Sequence, residues 1–85
     1  MVMTQLAQVT IVVKGRSVTI HAGDVFDGGA GNRFEVVDLV QHVDEHGQEC
    51  VTVILRRIGT GHLLSESLEL VTDLFDDGDY TLLDF

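Results

Sequence analysis

Three side chains near the middle of the chain carry the residue types best suited to chemistry: His42, His46 and Cys50. A thiol with a neighbouring imidazole is the minimum for thiolate chemistry, and two histidines with a cysteine are three of the four ligands of a structural zinc. A spacing of four would align them on a helix. The segment reads instead as strand, turn, strand, so the three are expected to scatter. Glu45 and Glu49 also give Cys50 negative surroundings, where a reactive thiolate needs positive ones. A cysteine packed in or at the edge of a sheet is the expectation. His21 and His62 stand alone.

The acids form the second group. Asp73 to Asp84 (DLFDDGDYTLLD) places acids at the first and fifth positions of a calcium-loop frame and glycine at the sixth. Phe75 and Asp84 occupy the third and twelfth positions, where that loop needs an acid or amide and a glutamate, so a solvated turn is expected. The DGGAGN run, Asp27 to Asn32, lacks the following lysine and helix of a phosphate-binding loop and reads as a turn. Nothing places two carboxylates in an apolar cleft, and no Ser-His-Asp order is present. The expectation is a non-enzymatic protein with no cofactor and no metal.

Charge is distributed unevenly. Net charge is −9, and all five cations, Lys14, Arg16, Arg33, Arg56 and Arg57, lie in the first two-thirds. Seven acids follow Arg57 with no base among them: Glu66, Glu69, Asp73, Asp76, Asp77, Asp79 and Asp84. Such a surface repels phosphate backbones, which argues against direct nucleic-acid binding and for a protein partner with a basic surface. Asp73, Asp76, Asp77 and Asp79, with Glu66 and Glu69, are the candidate contacts.

The elements that must position these groups are β-rich. Apolar residues make up 45% of the chain and charged residues 22%, the balance of a globular domain and not of a disordered one. No run is long enough to span a membrane. The start, MVMTQLAQ, shows no secretory pattern, and a single cysteine forbids an internal disulfide, so a cytoplasmic protein is expected. Residues 1–8 read as a frayed lead-in, and residues 9–85 as one small domain.

Val9–Val13 and Ser17–His21 read as strands around a tight Lys14-Gly15-Arg16 turn. Val25-Phe26 is a short apolar contact. Arg33 to Val43 and Cys50 to Ile58 alternate in β-branched residues about a turn at Asp44 to Gln48, a long hairpin apolar on both faces. Its strands are therefore expected to coil through the core or to be covered on both sides. Alternatively, a second copy covers one side, making Val51, Val53, Leu55, Val37 and Leu39 a self-association surface for a homodimer. Leu64, Leu68, Val71 and Phe75 fall at helical spacing, and Ser65 or Ser67 is placed to cap a helix, while alternation at Leu68, Leu70 and Thr72 fits a strand almost as well. A strand near His62–Leu64 followed by a helical turn or short helix is the favoured reading. Tyr80 to Phe85 reads as the last strand.

Five or six short strands separated by glycine turns predict a small antiparallel barrel. The succession GDVF, a loop, GNRFEVVDLV, a turn, then CVTVILRR resembles small SH3-like barrels over roughly residues 9–85. That likeness implies short strands around one core and a helical turn before the last strand. Small size with a one-signed end is also similar to phage-encoded anti-defence proteins, including anti-CRISPR proteins. Two functions are carried forward: a protein-binding module using its barrel surface or self-association, and an inhibitor whose acidic end imitates nucleic-acid phosphates in a basic groove.

Overall fold

The computed structural model describes residues 3–83. The elements run β1 (Thr4–Gln5), β2 (Gln8–Val13), β3 (Arg16–His21), β4 (Val25–Asp27), β5 (Arg33–Val43), β6 (Glu49–Arg57), β7 (Leu63–Ser67), α1 (Leu68–Asp76) and β8 (Thr81–Leu83). The protein is mainly β, with antiparallel sheets and one short helix. Among the described residues no helix is long and apolar enough to cross a membrane.

The hairpin of β5 and β6 is the spine. Phe34 to Val36 pair with Arg57 to Leu55, and Asp38 to Val43 with Ile54 to Glu49; the register slips by one at Val37. This is a β-bulge, an extra residue in one strand that bends the strand locally. It also explains why alternation along β5 looks two-sided. With Val37 taken out of the count, Val36 and Leu39 fall on one face, and both are buried. Asp38, Val40 and His42 fall on the other. Opposite them on β6, Val53 and Leu55 face the core while Cys50, Thr52 and Ile54 face outwards.

One face of this sheet is closed by two pieces. The β2–β3 hairpin forms a separate two-stranded sheet that contributes Ile11 and Ile20, and α1 contributes Val71 and Phe75. Phe26 of β4 meets the Phe75 ring edge-on at 5.0 Å, within the range of favourable aromatic pairs. The β2–β3 turn has two central residues, Lys14 and Gly15, at φ of 51° and 77°. That geometry matches the strand twist and asks for glycine at its second position. Ser67 caps α1 by accepting from the Leu70 N–H at 3.1 Å. Gly78 N–H to Phe75 C=O and Asp79 N–H to Leu74 C=O end the helix, with Gly78 at φ 81°.

The strands do not close into a barrel, contrary to the sequence expectation. The main sheet runs β7-β6-β5-β4-β8, with β1 added on β5, and its terminal strands β7 and β8 are not paired to each other. The helix and the small hairpin seal the core in place of a strand-to-strand seam. Covering of the central hairpin is likewise one-sided and not two-sided. Thr4 and Gln5, read from sequence as lead-in, pair with Gln41 and Val40. Leu6 N–H reaches the Leu39 carbonyl at 2.8 Å.

Candidate interaction surface

The uncovered face of the main sheet carries a shallow apolar hollow of about 610 Å³. Met3, Val40, Val43 and Ile54 supply its apolar lining, His42, Thr52 and Ser65 its polar floor, and Asp44 and Glu45 an acidic rim. The bulge at Val37 puts Val40 there: the slip sends Leu39 into the core and turns Val40 out. The pairs Val40↔Thr52 and Ile54↔Ser65 align the floor across β5, β6 and β7. No Lys or Arg lines the hollow.

Beside it the register brings together two residues that sequence reasoning held apart. His42 and Cys50 are directly opposed on β5 and β6, and Cys50 Sγ lies 3.7 Å from His42 Nδ1 and 3.8 Å from Nε2. Near-equal reach to both nitrogens from within the ring plane would drive the sulfur into Cε1, so Sγ sits over the ring. The imidazole lone pair is therefore not aimed at the thiol, as proton abstraction requires. Nε2 instead meets Thr52 Oγ1 at 2.8 Å. His46 is elsewhere, beside Glu45 at the turn. Among the described residues no three potential metal ligands converge. The pairing was available from sequence: a turn centred on His46 sets His42 against Cys50.

Of the candidate partner contacts, Asp73, Asp76, Asp77 and Asp79 gather, all exposed, around the C-terminal end of α1. Asp76 Oδ1 accepts from the Lys14 backbone N–H at 3.0 Å, tying the helix end to the β2–β3 turn. The helix occupies the first positions of the calcium-loop frame, so no loop is formed there, and Asp84 lies outside the described residues. Glu66 is not part of this cluster. Glu69, on the first turn of α1, is four residues from Asp73, about 6 Å along the axis, but about 12 Å from Asp77. Glu66, on β7, is half-buried and accepts from the Tyr80 hydroxyl at 3.4 Å. Burial, with the Glu66 carboxylate beside it, pushes the Tyr80 hydroxyl up to about 12.

The candidate self-association residues divide. Leu39, Val53 and Leu55 are fully buried within this chain, so they offer no surface to a second copy. Val51 is half-buried on the core side, and Val37, displaced by the bulge, is exposed. Val40 and Ile54, which lie in the runs read as apolar on both faces, are the outward residues; strict alternation along β5 groups Val40 with the core residue Val36 and so does not single it out.

Comparison with known families, curated proteins and solved structures found no match to this chain.

Proposed function

We propose that this is a non-enzymatic protein-binding module that engages a partner with a basic surface through the uncovered face of its main sheet. The observation that carries the reading is the apolar hollow over Val40 and Ile54, rimmed by Asp44 and Glu45, with no Lys or Arg in its lining among the described residues. Apolar contact supplies affinity at the centre of an interface, while unlike charges at its rim steer association. The meander β4-β5-β6-β7 and the helix before the last strand support a likeness to SH3-like binding domains in an open form. The test is affinity capture with the chain and with Val40→Asp/Ile54→Lys. Both residues are only partly buried, so the variant should fold and lose a basic partner that the unaltered chain retains. Equal capture by both removes this face from consideration.

A second reading is favoured by one observation. Asp73, Asp76 and Asp77 crowd the helix end where the macrodipole is already negative, and no cation lies in the last turn. An inhibitor that imitates nucleic-acid phosphates would present such a cluster to a basic groove. Its mark is capture that fails with the four aspartates changed to Asn and survives Val40→Asp/Ile54→Lys.

A further inference from the structure

We infer that the free edge of β7 accepts an extended basic segment of the partner as one more strand, an inference that rests on the binding reading above and specifies how the partner is held. Arg57 donates its backbone N–H to the His62 carbonyl at 2.8 Å, and the same register continues as Leu55↔Leu64 and Val53↔Glu66. Antiparallel ladders alternate bonded and non-bonded pairs. Leu64 and Glu66 therefore bond inwards to β6. The Ile58 N–H to Arg33 carbonyl bond agrees, since it assigns the even-numbered residues of β6 to β5. Leu63 and Ser65, opposite Arg56 and Ile54, consequently turn their N–H and C=O groups away from the sheet. β7 is a terminal strand, and among the described residues no backbone bond reaches these groups.

A formed strand with a row of unpaired groups is the template for strand addition. Edges are commonly blunted by lysine, proline, a bulge or an inward-pointing charge, and β7, LLSES, has only the last. Its one charge is Glu66. In an antiparallel pairing of two copies about Ser65, the two Glu66 side chains would fall within diagonal reach on one face, between chains of net charge −9 each. A second copy is disfavoured and a basic strand favoured by the same residue.

The two faces specify the occupant. On the outer face Ser65 and Ser67 are small, leaving Ile54 open to an apolar side chain from the added strand. On the inner face, lysine or arginine placed opposite would meet Glu66. Arg56, opposite Leu63, is engaged by Glu35 and does not oppose this. The occupant is thus an extended segment alternating apolar and basic residues.

The test uses a short capped peptide alternating lysine with valine and threonine, and a control of equal composition with its lysines grouped. Amide exchange read by NMR should slow at Leu63 and Ser65 with the alternating peptide and not with the control. Ser65→Pro removes one outward N–H, a change sheet edges accept. It should weaken binding at least about tenfold, roughly 1.4 kcal/mol. Equal binding by Ser65→Pro with loss in Val40→Asp/Ile54→Lys would keep the surface and overturn strand addition. Binding unchanged in both variants overturns both readings. Unslowed exchange at Leu63 and Ser65 up to about 1 mM peptide overturns strand addition, whether or not the proline variant folds. A dimer abolished by Ser65→Pro would put a second copy on the edge and overturn the foreign strand.

Discussion

In the variant Asp73→Asn/Asp76→Asn/Asp77→Asn/Asp79→Asn, each carboxylate becomes an amide of nearly the same shape, so packing and helix propensity hardly change. Asp76 keeps an acceptor for the Lys14 N–H, and the Gly78 termination is untouched. What changes is charge at the negative end of α1. Asp73 and Asp76 lie in its last turn and Asp77 is its cap. Each such charge costs about 0.3–1 kcal/mol at low ionic strength. Asp73 and Asp77, four apart, repel by roughly 0.2–0.5 kcal/mol more. All are exposed, so the lower end applies, and the variant should gain on the order of 1 kcal/mol. For a domain of this size that is a melting temperature higher by about 4–8 °C. The assay is thermal unfolding by circular dichroism at low salt and at high salt. The gain should shrink with salt, because screening already relieves the unaltered helix. Asp76→Ala, which removes the acceptor as well, should melt below Asp76→Asn. A quadruple variant that melts lower, or a gain indifferent to salt, refutes the electrostatic reasoning.

Leu55→Ala should cost about 2–5 kcal/mol in urea unfolding, as expected for a buried leucine, without altering sedimentation mass. A changed mass at preserved stability would return Leu55 to an interface. Ser67→Ala should cost roughly 1 kcal/mol through loss of the cap to Leu70, and a neutral result would contradict the cap. Tyr80 is held protonated in the fold, ordinarily losing its proton near 10.0 and here near 12. Between those values the unfolded chain releases a proton that the folded chain keeps, so stability intact below pH 10 should fall as pH rises towards 12. Tyr80→Phe should remove that slope, and an unchanged slope would place the titration elsewhere.

Much of this fold was legible in local chemistry. β-branched runs marked the strands, Lys14-Gly15 the tight turn, and Val71 and Phe75 the buried stripe of α1, with Leu68 packed partly buried against it and Ser67 before it. Non-local features were hidden. The bulge at Val37 leaves no mark in a run of apolar residues, yet it decides that Leu39 is core and Val40 is surface. Whether a sheet closes depends on which edges meet, and β7 and β8 remain apart because α1 and the β2–β3 hairpin fill the space between core and solvent. The acidic cluster was read directly from sequence. The hollow over Ile54 was not, because it needs β5, β6 and β7 in register.

Cys50, the chain's single cysteine, is half-buried beside His42, which lines the hollow, and so reports on this surface without any substitution. The most direct measurement is its rate of modification by a small thiol reagent, in the free protein and in the complex captured with its partner. Occupation of the uncovered sheet face should slow that reaction at least about tenfold, the factor expected of a site closed nine-tenths of the time or more. An unchanged rate, in a complex that the four aspartate-to-asparagine changes dissolve, would contradict it and place the partner on the acidic end of α1.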